Sequence, residues 1–383
     1  MNLRKKEIKD KILELKLKAG SHSPSISTLL KEMPDIKMHV DACFLSNPYA
    51  TDLFMEYLKN DLIDTGNLRD VLEFYPPQNS DISHYISRAI NVEEEYIFVS
   101  NGAIEAIQAV IHNFVKKKIC VILPTFSSYY EFVKPECEVI YFHLKKEDNY
   151  ILDIEKYIAF IKEHKPDTAV IINPNNPNGS YLSKEELVNL LTELKELETL
   201  IVDESFIHFA YENIELSQMT SEQLIHRFPN LITIKSMSKD FGIAGIRAGY
   251  ALMSADRVKK LLSNGYLWNL SGLCDYFFKI YSQPDFILKY DVVRKKYIMN
   301  TLMFLSELNN ISSIKVYPSK ANFALIEVID GRSSFDFSMD LLIDSGIYVR
   351  DCSDKIGLDG QFVRIASRTF EENLQIFDAI KKV

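Results

Sequence analysis

Short apolar runs alternate with helical periods between residues 95 and 250. The runs are rich in β-branched and aromatic residues, which is typical of buried strands. They cover residues 96–100, 119–123, 139–143, 168–172, 199–202, 231–234 and 248–252. Strands that alternate with helices need crossover connections, and crossovers favour parallel strands covered by helices on both faces. The alternation therefore predicts an α/β fold with a mostly parallel central sheet.

The pattern changes in the last third of the chain. Helical periods extend to about Leu308, and Thr369 and Glu372 stand at capping-box spacing before a final helix. Between these helices lie strand-like runs around Val316 and at 323–328 and 361–366. This mixture predicts a second, smaller α+β domain.

These patterns divide the chain of 383 residues into three parts. We predict a large domain over residues 47–272, which carries the parallel sheet, and a small C-terminal domain over residues 273–383. Residues 1–46 are too few to fold alone. We expect them to form an arm that joins the small domain or a partner subunit.

Composition excludes several classes of function. The formal net charge of −9 argues against a nucleic-acid-binding surface, because phosphate backbones require a basic face. No apolar run approaches the roughly 20 residues of a membrane-spanning helix, and the first 20 residues lack the apolar core of a signal peptide. The five cysteines are far apart and never paired as Cys-x-x-Cys, which indicates buried free thiols and no metal site. We expect a cytoplasmic protein that acts on a small molecule, without nucleic-acid or membrane partners.

One segment places a lysine between hydroxyls and an arginine. Ser236, Ser238, Lys239 and Arg247 lie within twelve residues of one another. A primary amine on a turn can condense with an aldehyde, and hydroxyls and a guanidinium are suitable donors for a phosphate. Pyridoxal 5'-phosphate (PLP) has both groups. The alternative is a solvated turn without a catalytic role.

Other polar residues follow the ends of predicted strands. Asn176 lies in an Asn/Pro/Gly-rich loop, Asp203 follows a buried run, and Tyr129 follows another. Gly102, Ala103 and Ile104 begin a helix, where free backbone amides can bind a phosphate. Turn chemistry for Asn176 and core packing for Tyr129 are equally compatible with these positions. Asp203 would need a cationic partner to be buried.

The ordered set Asn176, Asp203, Lys239 and Arg247 resembles the PLP-dependent aminotransferases of fold type I, classes I and II. Within them it is most similar to the histidinol-phosphate aminotransferase and threonine-phosphate decarboxylase branch, from about Cys43 onward. The resemblance implies a fold type I PLP-dependent transferase with a large PLP-binding domain and a smaller one. It also implies a homodimer with shared active sites.

The resemblance assigns roles to the cofactor-binding residues. Lys239 is expected to hold PLP as a Schiff base and to move the α-proton. Asp203 is expected to keep the pyridine nitrogen protonated, Asn176 to bind the phenolic oxygen, and Tyr129 to stack on the ring. The phosphate is expected to contact the amides of Gly102, Ala103 and Ile104, the side chains of Ser236, Ser238 and Arg247, and Tyr75 of a neighbouring subunit.

The resemblance also assigns substrate contacts. Arg364 corresponds to the arginine that binds the substrate carboxylate, for which its planar fork is suited. A surface salt bridge is the alternative for this residue. Asn47 corresponds to a loop asparagine near the substrate, although turn chemistry explains it as well.

Departures from the aminotransferase pattern bear on the reaction. Phe206 replaces a tyrosine that would donate to the phenolic oxygen, and phosphoamino-acid decarboxylases of the branch have phenylalanine in a similar setting. Arg368 and Trp268 are also similar to decarboxylase residues, whereas the segment 346–351 is closer to the aminotransferases. Arg368, with Arg350 if it is not a surface residue, favours a substrate with a second anion such as a phosphate.

Three functions are compatible with these residues. We predict an aminotransferase that acts on a small, phosphorylated amino or keto substrate, as histidinol-phosphate aminotransferase does. The alternative is a PLP-dependent decarboxylase of phosphoserine or phosphothreonine, because the two reactions share their cofactor contacts. A non-catalytic PLP-binding regulator is a third hypothesis, but the N-terminal residues are too few and too weakly basic for a DNA-binding module.

Overall fold

The computed structural model describes the backbone of residues 3–212 and 220–383, and side chains from residue 5 onward. Its strands are β1 (Val40–Asp41), β2 (Ile97–Asn101), β3 (Lys118–Leu123), β4 (Glu138–His143), β5 (Thr168–Ile172), β6 (Thr199–Asp203), β7 (Leu231–Ser236), β8 (Ala248–Leu252), β9 (Ile314–Val316), β10 (Phe323–Val328), β11 (Ile347–Tyr348), β12 (Arg350–Asp351) and β13 (Phe362–Ala366).

The helices connect and cover these strands. They are α1 (Leu3–Ala19), α2 (Ile26–Glu32), α3 (Pro48–Leu58), α4 (Leu68–Glu73), α5 (Asn79–Ile90), α6 (Gly102–Phe114), α7 (Ser128–Glu131), α8 (Ile154–His164), α9 (Lys184–Glu193), α10 (Ala255–Ser263), α11 (Gly272–Tyr281), α12 (Pro284–Leu308), α13 (Ser334–Ser345) and α14 (Phe370–Lys382). The predicted capping box of α14 is confirmed, because Thr369 and Glu372 exchange both hydrogen bonds.

The central sheet has seven strands in the order β2-β8-β7-β6-β5-β3-β4. All strands are parallel except β8, which runs antiparallel to β2 and β7. Every predicted strand appears, and the predicted α/β fold is confirmed. Strands β5, β6 and β7 are buried along their whole length, which explains why they are continuously apolar and not alternating.

A smaller sheet and a short ribbon form the rest of the strand structure. The small sheet has the order β12-β13-β10-β9 and is antiparallel, while β1 pairs with β11 in parallel. Helix α1 packs on α13, where Ile12 and Leu15 join Met339 and Leu342 in one apolar cluster. The domain limits at residues 46 and 272 stay predictions.

The helices and the cysteines bear on two expectations drawn from the composition, which concern membrane spans and free thiols. Within the described ranges, no helix is long and apolar enough to cross a membrane. All five cysteines are free, and four of them are buried.

Candidate active site

A cavity of about 250 Å³ lies at the carboxyl ends of β5, β6 and β7 and the beginning of α6. Because β8 is antiparallel, its first residue reaches this same edge, where Ala248 pairs with Asn101. Arg247 immediately precedes β8 and is thereby brought to the cavity. The predicted site residues that line the cavity are Ala103, Ile104, Asn176, Asp203, Phe206, Ser236, Ser238, Lys239, Arg247 and Arg364.

One end of the cavity combines a helix N-terminus with Arg247. Gly102 begins α6 at a φ of +72°, and a Cβ at this position would lie 2.4 Å from Nη2 of Arg247. Glycine suits this position because L side chains rarely adopt this backbone angle, and a side chain would also displace the guanidinium. The free amides of the first turn, the Ser236 and Ser238 side chains and the guanidinium form a donor set that fits a phosphate.

Lys239 lies on the turn after β7. Its backbone carbonyl accepts hydrogen bonds from the amides of Asn47 (3.0 Å) and Gly242 (3.3 Å), which fix the turn. Burial, reinforced by the positive charges of Arg364 and Arg247, lowers the pKa of the Lys239 amine to about 8. A substantial fraction of neutral amine is therefore present near neutral pH, as condensation with an aldehyde requires.

Asp203 is the last residue of β6 and is 3% exposed. The Tyr129 hydroxyl donates to its Oδ2 at 2.7 Å, and the Ser205 amide donates to its Oδ1 at 2.8 Å. Burial raises the pKa of the Asp203 carboxyl, whereas these donors oppose the increase. A buried carboxylate that lines a cavity fits a cationic ligand group such as a protonated pyridine nitrogen.

Tyr129 does not occupy the predicted stacking position. Its ring is fully buried in the apolar cluster beneath the cavity, and the residue that lines the cavity is Phe126. The short helix α7 begins at Ser128 and turns the next side chain inward. Phe126, and not Tyr129, therefore lies where an aromatic ring could stack on a flat ligand, and the Tyr129 hydroxyl contacts Asp203 instead.

Arg364 and Asn176 form one unit on the wall facing the small sheet. Nη1 of Arg364 donates to Oδ1 of Asn176 at 2.7 Å, and Nη2 donates to the Cys43 carbonyl at 2.8 Å. Its Nε is buried without a hydrogen-bond partner among the described residues. Arg364 thus lines the cavity with unused donor capacity, which disfavours the alternative of a surface salt bridge.

Neighbouring polar residues hold the Asn176 loop in place. Asn175 donates to the Pro124 carbonyl (3.0 Å) and to Asn178 (2.8 Å). Thr125 donates in turn to the Asn175 oxygen at 3.0 Å. The polar side chains of this loop therefore stabilise its turn and also hold Asn176 in the wall of the cavity.

The other end of the cavity carries Arg350, which the sequence offered as a candidate for binding a second anion, and further residues that the sequence motifs did not reveal. Arg350 is 5% exposed and donates to the Ser21 carbonyl (2.8 Å) and to Asp354 (2.6 Å). Lys355 also lines the cavity, and its amine has no acceptor among the described residues. Burial and the neighbouring Arg350 lower the pKa of Lys355 to about 8. His22, from the N-terminal arm, completes this end.

Besides Gly102 and Tyr129, three further predicted residues do not line the cavity. Asn47 caps α3, where its Oδ1 accepts from the amides of Tyr49 and Ala50, while its Nδ2 is buried without a hydrogen-bond partner among the described residues; its contact with substrate stays a prediction. Arg368 donates to the Ser46 carbonyl at 3.2 Å and lies 3.4 Å from a Glu372 oxygen. Tyr75 is 87% exposed and contacts Trp268 edge-on. The structure therefore does not bring these side chains to the cavity of their own chain.

A family model described as aminotransferase class I and II matches residues 59–380. The chain belongs to this family. The predicted dependence on PLP is thereby confirmed, and the donors around the cavity fit the cofactor's phosphate, ring nitrogen and aldehyde.

Two decarboxylases are similar to the chain along almost its whole length. An L-serine phosphate decarboxylase of Campylobacter jejuni is 55% identical over 380 residues, which cover 99% of this chain and 97% of that protein. Another, of Sulfurospirillum multivorans, is 44% identical over 384 residues, covering 100% and 98%. A solved decarboxylase structure from S. multivorans has a TM-score of 0.95, at 44% identity, with 100% and 97% covered.

The prediction that placed aminotransfer first is wrong. The histidinol-phosphate aminotransferase structure from Clostridium acetobutylicum is 28% identical, with a TM-score of 0.78 and coverage of 90% of this chain and 98% of that one. It confirms the predicted branch, but the decarboxylases match the whole chain far more closely. The error has a chemical reason, since both reactions use the same cofactor contacts and the motifs that carry those contacts do not distinguish them.

Proposed function

We propose that this protein is a PLP-dependent decarboxylase of an O-phosphoamino acid, with L-serine phosphate as its substrate. One observation carries the proposal: the cavity offers cationic groups at three separate places, and a phosphoamino acid bound with PLP presents three anionic groups. The names of the relatives that match the whole chain support the same substrate.

Each cationic place suits one anion. Arg247 and the first turn of α6 suit the cofactor phosphate, and Arg364 suits the substrate carboxylate. Arg350 and Lys355, with His22 beside them, suit the substrate phosphate. A substrate without the second anion would leave the Lys355 amine without a partner, and an unpaired charge in a partly buried site is costly.

The proposed reaction breaks the bond between Cα and the carboxylate carbon, releases carbon dioxide and places one proton on Cα. Bound PLP supplies an electron sink for the electron pair that remains on Cα. Arg364, fixed by Asn176 and the Cys43 carbonyl, orients the carboxylate. Lys239 has a pKa of about 8, so its ammonium form can deliver the proton near neutral pH. Asp203 holds the proton on the ring nitrogen.

We also propose that the active protein is a homodimer. Ile104 and Arg247, which line the cofactor-phosphate end, are exposed in the single chain. Asn269 contacts Glu105 on the first turn of α6, which places the preceding Leu267 and Trp268 near this open end, and Tyr75 contacts Trp268. These side chains are exposed, as are Leu72 and Phe74 close to Tyr75 in the chain: Leu72 (67%), Phe74 (64%), Tyr75 (87%), Leu267 (43%) and Trp268 (62%). A second copy covering this apolar patch would bring its Tyr75 to the phosphate, as the family resemblance implies.

Product analysis tests the proposed reaction. The holoenzyme is incubated with L-serine phosphate, with and without 2-oxoglutarate, while carbon dioxide and ethanolamine phosphate are measured. We expect equal amounts of both products, independent of the oxo acid, and no turnover by Lys239→Ala. L-Serine, L-threonine phosphate and histidinol phosphate serve as comparison substrates. Turnover that requires 2-oxoglutarate and releases no gas would contradict the proposal.

Light scattering on the purified protein tests the dimer. We expect twice the chain mass for the wild type and, for Tyr75→Phe, an unchanged mass with weaker retention of PLP on dilution. A monomer that is fully active would contradict the shared site.

A further inference from the structure

A buried ion pair lies on the far side of the residues that form the cofactor site. Ser236, the last residue of β7, lines the cavity, so the side chain of Lys235 points to the opposite face of the sheet. Lys235 is fully buried, and so is Asp240, which directly follows Lys239. Nζ of Lys235 donates to Oδ2 of Asp240 at 2.6 Å.

This pair connects two segments that carry reacting groups. Besides Asp240, Nζ of Lys235 donates to the backbone carbonyl of Glu204 at 3.1 Å. Glu204 directly follows Asp203, and Asp240 directly follows Lys239. One ammonium group therefore ties together the chain just after the ring-nitrogen carboxylate and the chain just after the reacting amine.

A third segment is attached to the same carboxylate. Nδ1 of His208 lies 3.4 Å from Oδ2 of Asp240 and 2.9 Å from the Tyr290 hydroxyl. Nη1 of Arg294 donates to the His208 carbonyl at 3.2 Å, which fixes this short helical turn against α12. His208 lies two residues after Phe206, so the wall formed by Phe206 is anchored through the same group.

We infer that Lys235 and Asp240 are positioning residues, which set the distance between the Lys239 amine and the Asp203 carboxylate. These two groups must act at different positions of one rigid cofactor ring, and small misplacements of reacting groups are costly. Stability alone does not account for the pair, because replacing a buried ion pair with apolar residues of similar size is often neutral or stabilising. The inference rests on the proposed function only in that Lys239 is the reacting amine.

The test uses a double variant that removes both charges, Lys235→Met with Asp240→Leu. We expect it to fold, with kcat reduced about 10- to 100-fold and KM changed less than about twofold, because binding groups on the cavity wall remain. The rate at which the apoenzyme captures PLP, followed by the visible absorbance of the bound cofactor, should decrease as well. The single variant Lys235→Arg keeps the charge and the ion pair with Asp240. It should retain most of the wild-type capture rate.

The matched control is an exposed ion pair of the same length, Lys162 with Glu193 at 2.6 Å. Lys162→Met with Glu193→Leu should leave both rates unchanged. A folded Lys235/Asp240 double variant with wild-type kcat and capture rate would overturn the inference. If that variant does not fold, Asp240→Asn is measured in the same way, and an unchanged capture rate overturns the inference as well.

The capture rate also separates this inference from the proposed function. Capture of PLP needs Lys239 but no substrate, so it reports on the ion pair whatever the substrate is. Wild-type enzyme that captures PLP but does not release carbon dioxide from L-serine phosphate would refute the function and leave this inference standing.

Discussion

The hydroxyl of Tyr129 has a clear electrostatic task. Burial raises the pKa of this phenol well above its ordinary value, so the hydroxyl stays protonated and donates to Asp203. Its hydrogen bond favours the ionised carboxylate against the burial that raises the pKa of Asp203. The position of Tyr129 after a predicted strand could not reveal this, because the direction of one side chain depends on how a four-residue helix begins.

Tyr129→Phe should therefore weaken catalysis more than binding. Losing the donor raises the pKa of Asp203 further, and one hydrogen bond to a charged group is worth about 1.5–3 kcal/mol. We expect kcat to decrease about 10-fold, with KM changed less than about twofold. Steady-state release of carbon dioxide measures both constants, and Tyr130→Phe is the neighbouring control. Unchanged kcat would show that the hydroxyl does not support Asp203.

The pKa of Lys239 predicts a pH profile for cofactor capture. Burial lowers this pKa to about 8, with Arg364 as the next cause, and the neutral amine is the nucleophile. Capture of PLP by the apoenzyme should therefore accelerate as the pH rises through about 8. Arg364→Leu removes a positive neighbour, raises the pKa of Lys239 and should move the midpoint to higher pH.

Stopped-flow absorbance between pH 6 and about 10 checks this profile. Arg368→Leu is the control, because Arg368 does not line the cavity and should leave the midpoint in place. Equal shifts for the two variants would mean that Arg364 does not act directly on the amine.

At the scale of elements, a second buried carboxyl directly follows β6, beside the site. Glu204 is fully buried, and it accepts from the Thr220 hydroxyl (2.6 Å) and the Ser221 amide (2.7 Å). Burial, with Glu222 nearby, raises the pKa of Glu204 from 4.5 to about 7. This carboxyl thus attaches the chain at Thr220 and Ser221 to the end of β6.

Glu204→Gln should change how stability depends on pH. Between pH 4.5 and about 7 the native wild type keeps a proton that the unfolded chain has lost, so its stability decreases as the pH rises. The decrease is about 1.4 kcal/mol per pH unit, and the variant should lack it. Denaturant titrations across this range measure the difference, with Glu185→Gln on the surface of α9 as the control. Parallel pH profiles of Glu204→Gln and wild type would contradict the raised pKa.

Sequence patterns were informative where one element acts alone. The apolar runs predicted all seven strands of the central sheet, because each run is short, apolar and rich in β-branched or aromatic residues. Lys239 was predicted from the hydroxyls and the arginine near it in sequence, and Asp203 and Asn176 because each follows a predicted strand; the structure brings all three to the cavity. The antiparallel direction of β8, which places Arg247 at the cavity, was not predicted. It depends on the strands with which β8 pairs and not on the residues of β8 itself.

At the scale of the whole molecule, the cavity is assembled from distant parts of the chain. His22 comes from the N-terminal arm, Lys239 from the segment after β7, and Lys355 from the segment after β12. Lys16 of α1 pairs with Asp351, which holds the arm beside these cations. Lys355 and His22 were not predicted, because no local sequence pattern surrounds either residue. They line the same cavity only because the fold brings together segments that are more than 300 residues apart in sequence.

Lys355→Met should reduce the preference of the enzyme for L-serine phosphate over L-serine. A hydrogen bond between charged groups is worth about 1.5–3 kcal/mol, so kcat/KM for L-serine phosphate should decrease about 10- to 100-fold. The slow reaction of L-serine, which lacks the phosphate, should change little. Competition assays with both substrates measure the ratio, and Lys145→Met on the surface is the control. Equal losses for the two substrates would place Lys355 outside the phosphate contact.

The close approach of Gly102 to Arg247 bears on how much of the cofactor, a form of vitamin B6, the enzyme needs. Because a methyl group at this position would lie within 2.4 Å of Nη2 of Arg247, the guanidinium would have to shift away from its place beside the first turn of α6, and we expect the affinity for the cofactor to decrease. A cell that carries an alanine here would keep the same reacting lysine, at a cost in stability from the strained backbone angle. Its capacity to make the product would nevertheless follow the intracellular concentration of vitamin B6.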